Sequence, residues 1–416
     1  MESSELAIEI RDLYKLYGPK PEAALGHIRS RSMRPEDSGH FVALNNVNLA
    51  IEPGKICVIM GLSGSGKSTL LRCINRLIDP TGGQIFIQGH EITHASTKEL
   101  RRIRSSKISM VFQHFALLPH MTVLDNVAFG LRIAGISRKE RRDRAAHALE
   151  LVGLSGWNDR KPSNLSGGMR QRVGLARALV MDTPVLLMDE PFSALDPLIR
   201  EEMQQELLRL QNTLNKTIVF VTHDPNEAAT LGNRIAILLK GEVVQYGRPL
   251  DIVISPANDY VRDFVRGINV FNVLSAGQIV DPARPPVVLT GTSVTSLPIS
   301  RSTAGPVAVT DGTGRILGVV EKTASLGASA ADWQSALSQD YIRIAPDQLV
   351  APFLEELSRN GRPLVVVRDD DSLVGVVTGS SVLKALAANS GVKSKCEEAR
   401  QQPESKSAMA AEQRAG

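Results

Sequence analysis

Residues 56–77 read ICVIMGLSGSGKSTLLRCINRL, and the interpretation of most of the chain follows from this stretch. Ile56, Cys57, Val58, Ile59 and Met60 form an unbroken apolar run, the pattern of a strand buried on both faces. Gly61, Leu62, Ser63, Gly64, Ser65, Gly66, Lys67 and Ser68 then fit G-x4-G-K-[ST], and a helix-like run opens at Thr69. Strand, glycine loop and helix start, in that order, are the context this pattern needs to cradle phosphate. Glycines let backbone N–H groups turn inward around an anion, and the helix N-terminus adds a favourable dipole. Lys67 is expected to reach β/γ-phosphates, the Ser68 hydroxyl to bind Mg²⁺, and Thr69 to belong with the nucleotide-binding residues.

Three further apolar runs, at residues 185–188, 218–221 and 235–239, also read as strands without a polar face. With amphipathic segments between them they predict βαβ units and a mainly parallel buried sheet. Asp189 and Glu190 follow the run at 185–188 directly. Carboxylates at the C-terminal end of a buried strand sit where α/β folds bind ligands. Asp189 is expected in the Mg²⁺ shell, and Glu190 is expected to orient and polarise an attacking water; two acids capping the next helix are the alternative.

The chain has 416 residues, enough for two domains, and a net charge of +4 spread along its length. Neither that charge nor an aromatic content of 4% points to nucleic acid as a partner. Three cysteines, Cys57, Cys73 and Cys396, are too few and odd in number for a disulfide framework. No run approaches the ~18 apolar residues of a membrane span, so a soluble chain is expected, held at any membrane by another subunit. Residues 19–41, rich in Pro, Gly, Ser, Arg and His, look like an insertion, and residues 281–305 look like loop. A repeat follows: PVAVTDGTGRILGVV at 306–320 matches PLVVVRDDDSLVGVV at 363–377, with Gly318 and Gly375 in register. Each copy predicts strand, tight turn, strand. The polar tail, 391–416, is expected to be disordered.

The stretch LSGGMRQRVGLARALV, residues 165–180, lies shortly before Met188-Asp189-Glu190, and in this order the motifs resemble the ABC ATPase family. The resemblance implies that Ser166, Gly167 and Gly168 form the signature that meets a nucleotide's γ-phosphate. It implies that Gln113 is the Q-loop glutamine touching Mg²⁺ and reporting to a permease. Residues 193–196, SALD, look like the D-loop, and His223 like the switch histidine at the γ-phosphate. Tyr17 resembles the aromatic that stacks on adenine, with Tyr14 as an alternative and core packing as the plain reading. The implied fold is α/β: a P-loop ABC ATPase domain over 1–270, with a mainly parallel core sheet and a helical subdomain at about 114–180. A smaller α+β tandem CBS-like regulatory region over 271–390 follows. Two ATPase domains pair head to tail in this family, so one set of motifs implies a homodimer in the ATP-bound state.

The stretches VIMGLSGSGKSTLLRCINRLIDPTGGQI, MVFQHFALLPHMTVLDNVAFG and SPANDYVRDFVRG closely resemble the ATP-binding subunits of glycine betaine/proline/choline importers. That resemblance implies ATP and Mg²⁺ as cofactors, a separate integral membrane permease, an extracellular or periplasmic substrate-binding protein, and a peripheral location on the cytoplasmic face of the inner membrane. It places permease docking at 114–130, whose apolar residues equally fit a core. The repeats are either a sensor or a dimerisation module. Basic segments at 101–107 and 138–144 read as solvated helix faces, with a lipid-headgroup contact as the minority reading; Asp369, Asp370 and Asp371 read as a solvated turn, with cation sensing as the minority reading. The competing classes are a soluble ABC ATPase acting on ribosomes or nucleic acid, and the ATPase of a transporter with another cargo.

Overall fold

The computed structural model describes residues 6–113, 116–269, 273–280, 286–290, 293–295, 306–320 and 330–389. The first of its two units, Met1–Ile268, opens with β1 (Ile8–Tyr17), α1 (Pro21–Arg29), β2 (Phe41–Ile51), β3 (Ile56–Met60), α2 (Lys67–Ile74), β4 (Gly82–Ile87) and β5 (His90–Glu91). Next come α3 (Thr97–Ser106), β6 (Ile108–Val111), α4 (Val123–Ile133), α5 (Arg138–Leu151), α6 (Gly167–Leu179), β7 (Val185–Asp189) and α7 (Pro197–Leu214). The unit closes with β8 (Thr217–Thr222), α8 (Pro225–Leu231), β9 (Arg234–Leu239), β10 (Glu242–Gly247), α9 (Pro249–Ile254) and α10 (Asp259–Val265).

The four apolar runs are the heart of this unit. They form β3, β7, β8 and β9, in a sheet of order β10-β9-β3-β8-β7-β6 whose strands run parallel except for β10. Every residue of β3, β7 and β8 is buried, as strands covered on both faces must be. An antiparallel sheet of order β2-β1-β4-β5 closes over one side, and its Ile8, Ile10, Leu44 and Ile85 share a single core with Leu70, Leu187 and Val219. Helices α4, α5 and α6 pack on one another as a separate layer.

The segment after β1, read as an insertion, carries a helix: Ala24, Leu25 and Ile28 of α1 pack with Tyr14 and Leu16 into a small apolar cluster. One expectation is corrected here: the basic runs are not wholly solvated faces. Arg104 of α3 donates to the Asn75 and Arg76 carbonyls at the end of α2, and Arg144 of α5 donates to the Val180 carbonyl after α6. A guanidinium's several donors suit the unpaired carbonyls that end a helix.

The second unit, Asn269–Gly416, contains β11 (Val287–Thr290), β12 (Ser293–Thr295), β13 (Val307–Asp311), β14 (Ile316–Val320) and α11 (Ala330–Ser335). Then follow β15 (Ile342–Ile344), β16 (Leu364–Val367), β17 (Leu373–Val377) and α12 (Gly379–Asn389). Residues 287–290 and 293–295 are therefore strands, where loop was expected. The repeat is borne out as two hairpins of equal register: Gly318 faces Val309 in one and Gly375 faces Val366 in the other. Each hairpin also receives a parallel strand, β11 on β13 and β15 on β16. The two hairpin turns meet at an Arg315–Ser372 bridge, and the Leu373 N–H donates to the Gly314 carbonyl at 3.1 Å. The expected disordered tail, 391–416, lies outside the described residues. Among the described residues no helix is long and apolar enough to cross a membrane.

Candidate active site

Register decides which side chains meet. In the parallel sheet Met60 of β3 pairs with Thr222 of β8, Asp189 of β7 pairs with Val221, and Val111 of β6 pairs with Met188. Four neighbouring strands thus end at one edge. The loops leaving that edge carry 61–68, Glu190, His223 and Gln113, the crevice position of an α/β sheet.

The glycine loop is shaped by close approach. A Cβ on Gly61 would lie 2.3 Å from the Leu238 carbonyl oxygen, and one on Gly66, whose φ is 104°, would lie 2.4 Å from that of Ala43. No other residue fits at either place without moving a strand. Lys67 points back into the loop and donates to the Gly61 and Leu62 carbonyls at 2.8 and 3.0 Å. Burial pulls its pKa below the usual lysine value, and the nearby Glu190 and Asp189 carboxylates work against that shift.

Asp189 is almost wholly buried, with 2% exposure. Its Oδ1 accepts from the Ser68 hydroxyl at 2.8 Å and its Oδ2 from Arg72 at 3.1 Å. A hydroxyl and a carboxylate side by side fit Mg²⁺, which takes one or two protein oxygens and fills its remaining positions with phosphate oxygens and water. Glu190 sits at φ 43°, a left-handed backbone that a non-glycine residue holds at a cost of about 1 kcal/mol or more. Its N–H donates to the Val221 carbonyl at 3.1 Å, and its Oε2 lies 3.2 Å from His223 Nδ1. Sequence inspection passes over Glu227, which is buried, accepts from the Thr222 hydroxyl and from Gln204, and ties α7 and α8 to the strand that delivers His223. Burial raises its pKa above the usual glutamate value.

A cavity of about 610 Å³ opens over these groups, lined by Phe41, Ala43, Leu62, Ser63, Gly64, Gly66, Lys67, Ser68, Thr69, Glu190 and His223. Ser65 is buried beside it and its hydroxyl has no partner among the described residues. Several expected residues lie elsewhere. Gln113 donates to the Ser193 hydroxyl at 3.4 Å, and Ser193 in turn donates to the Glu190 carbonyl, so it reaches the site through one intermediary. Ser166 caps α6 by accepting from the Met169 N–H, and neither it, Gly167 nor Gly168 lines the cavity. Asp196 likewise caps α7. Tyr17 is not among the lining residues, and Tyr14 is 8% exposed inside the α1 cluster, which makes it a core residue. The aromatic ring that does line the cavity is Phe41, which the sequence reading does not single out. The loop is also braced from a distance: the Tyr260 hydroxyl accepts from the Leu62 N–H and donates to the Leu238 carbonyl, both at 3.3 Å.

Comparison with known proteins converges on one family. The ABC transporter family profile matches residues 44–193. The chain is 54% identical over 277 residues to the glycine betaine/proline betaine transport system ATP-binding protein ProV of Escherichia coli, covering 66% of this chain and 69% of that protein. It is 39% identical over 394 residues to the glycine betaine transport ATP-binding protein OpuAA of Bacillus subtilis, covering 94% of each. Among solved structures, it resembles the dimeric post-hydrolysis state of the ATP-binding cassette MJ0796 bound to ADP and Pi. That match has 38% identity and a TM-score of 0.50, over 58% of this chain and 98% of that one.

Proposed function

The chain belongs to the ABC transporter ATPase family, and from that premise we propose that it is the ATP-hydrolysing subunit of an importer for glycine betaine or a related quaternary amine such as choline or proline betaine, or for proline. The observation that carries the ATPase reading is the meeting of Lys67, Ser68, Asp189, Glu190 and His223 at one sheet edge, beside a cavity bounded by the glycine loop. The cargo rests on the likeness to the two betaine-transport ATP-binding proteins, one of them nearly end to end. These relatives are transport subunits, so a soluble ATPase working on ribosomes or nucleic acid is not favoured.

In this reading Lys67 leaves the loop carbonyls for the β/γ-phosphates of ATP, and the loop N–H groups hold the remaining oxygens. Mg²⁺, held by Ser68 and Asp189, would neutralise charge on the phosphates. Glu190 orients and polarises the attacking water, and His223, placed by its contact with Glu190, faces the γ-phosphate. Gln113 links this centre to the permease through Ser193. The signature residues Ser166, Gly167 and Gly168 cap a helix whose free N–H groups form an anion site. Standing outside the cavity of their own chain, they serve the ATP of a second copy. Residues 114–130 are the docking region for the permease, His114 and Phe115 lying outside the described residues. The permease holds the subunit at the cytoplasmic face of the membrane and receives cargo from a substrate-binding protein. The hairpin pair of the second unit supports a tandem CBS-like regulatory region over 271–390.

Uptake of labelled glycine betaine, choline and proline, at low and high salt, in cells with and without the gene tests the cargo. Loss of betaine or choline uptake is expected. Unchanged uptake of all three, with no second importer active, contradicts it.

A further inference from the structure

The stretch NDYVRDFVRG, residues 258–267, sets two pairs of side chains four residues apart along α10. Val261 and Val265 are buried and seat the helix, which Asn258 caps by accepting from the Val261 N–H at 2.9 Å. Tyr260 and Phe264 form the second pair. Both are half-buried, with ring centroids 5.8 Å apart and planes tilted by 36°. The Tyr260 hydroxyl carries α10 to the glycine loop. It accepts from the Leu62 N–H and donates to the Leu238 carbonyl of β9, both at 3.3 Å. That carbonyl is the one that excludes a Cβ from Gly61. One hydroxyl thus pins the Gly61–Leu62 peptide to the strand it packs against. Leu62 lines the cavity and Tyr260 does not, so the pin acts from behind the loop.

The pin matters because nucleotide removes the other hold on this part of the loop. Lys67 donates to the Gly61 and Leu62 carbonyls, and it must release both to reach phosphates. The Leu62 carbonyl then keeps the Ser65 N–H at 3.2 Å, a bond within the loop itself. Among the described residues, Tyr260 is left as the side chain that hydrogen-bonds to residues 61–64. The same segment also reaches the loop of His223. Asn226, three residues further on, donates from its side-chain amide to the Gly267 carbonyl at 3.1 Å. Residues 260–267 therefore touch both loops that bound the cavity.

We propose that Tyr260 is a positioning residue for the ATPase reaction, whose hydroxyl holds the glycine loop in its phosphate-binding shape before nucleotide arrives. This rests on the reading of the cavity as the ATP site. A loop already in its bound shape has less freedom to lose on binding. Without the hydroxyl, part of the binding free energy goes into ordering the loop, and affinity falls. Once bound, the phosphates hold the loop themselves, so turnover proceeds as before. The loss then falls on KM and leaves kcat in place. It also falls on any ligand that fills the loop with phosphate, with or without a base.

The test is Tyr260→Phe in the full-length chain, which removes the hydroxyl and keeps the ring. Steady-state hydrolysis should show KM for ATP raised about 3- to 10-fold, the scale of one or two long hydrogen bonds, with kcat within about twofold of the unaltered chain. Calorimetric titration with magnesium pyrophosphate should show affinity weakened by a like factor. Phe264→Leu, which loosens the same helix and keeps the hydroxyl, should leave KM within about twofold. The proposal is overturned if Tyr260→Phe leaves KM and pyrophosphate affinity unchanged. It is overturned equally if kcat falls at constant KM, the mark of a smaller folded fraction, or if Phe264→Leu reproduces the rise in KM, since helix packing would then be the cause. An unaltered chain that neither hydrolyses ATP nor binds pyrophosphate would sink the ATP-site reading itself, which separates the two.

Discussion

Lys67 shows how much a single residue here is held by its surroundings. Its ammonium is drawn into the loop by two carbonyls and two nearby carboxylates, against the cost of burial. Removing it as Lys67→Ala should weaken ATP binding by about 10- to 100-fold, the scale of a lost charge-assisted contact, measured by equilibrium dialysis; unchanged affinity would remove Lys67 from the phosphate site. His40 makes a second residue-level prediction. Carbonyl oxygens only accept, so both ring nitrogens must donate, and these two bonds raise its pKa above the ordinary 6.5. The folded state therefore holds the proton more tightly than the unfolded chain. The clasp that these two bonds make between Pro19 and Ser38 contributes stability that is fully present below the ordinary histidine value and is lost as pH rises through the raised one. NMR titration of the His40 ring should place its midpoint above 6.5, with amide exchange across 19–40 quickening as it titrates; a midpoint below that value would mean the clasp does not hold a proton. Lys67, Ser68, Asp189 and Glu190 could be singled out from the sequence because each lies at the end of an apolar strand or inside a loop with strict spacing, whereas His223 was singled out only through the family resemblance. Phe41 was not. It follows a segment of 22 residues from Pro19 to His40, so only strand register reveals that it faces Tyr17 and the cavity.

Among the elements, the parallel strands carry both the stability and the chemistry. Leu187 of β7 is fully buried in the core shared by both sheets, two residues before Asp189. Leu187→Ala should cost about 2–5 kcal/mol, read as a lower midpoint in denaturant unfolding; a loss under about 1 kcal/mol would mean that core packs more loosely than its burial indicates. These strands were easily read, since burial on both faces leaves an unbroken apolar run. The short strands β11 and β12 were hidden for the opposite reason. They span four and three residues and follow a proline-rich stretch; β11 pairs with β13, a partner more than 15 residues away in the chain, and β12 pairs with β11. Arg104 and Arg144 show the same limit: a basic run looks like a solvated face until the helix ends it closes are known.

For the whole molecule, the division into Met1–Ile268 and Asn269–Gly416 separates the residues lining the cavity proposed for ATP from the paired hairpins. A chain ending after residue 268 should bind ATP with affinity within about twofold of the full chain, since every cavity-lining residue lies before that point. If the second unit is regulatory, the salt dependence of transport should disappear in cells carrying the shortened chain. A salt response that survives intact would leave the hairpins without that role. The sequence repeat made the hairpins legible, but it did not reveal that each is joined by a parallel strand from outside the repeat.

In the proposed reading the catalytic groups of one copy are completed by the signature of another, which light scattering on Glu190→Gln tests most directly, since that variant removes only the carboxylate proposed to orient water. With saturating ATP and Mg²⁺ the particle should have twice the 45.0 kDa of one chain, and it should fall back to one chain when nucleotide is withdrawn. A variant that binds ATP yet stays at the mass of a single chain would contradict the shared site.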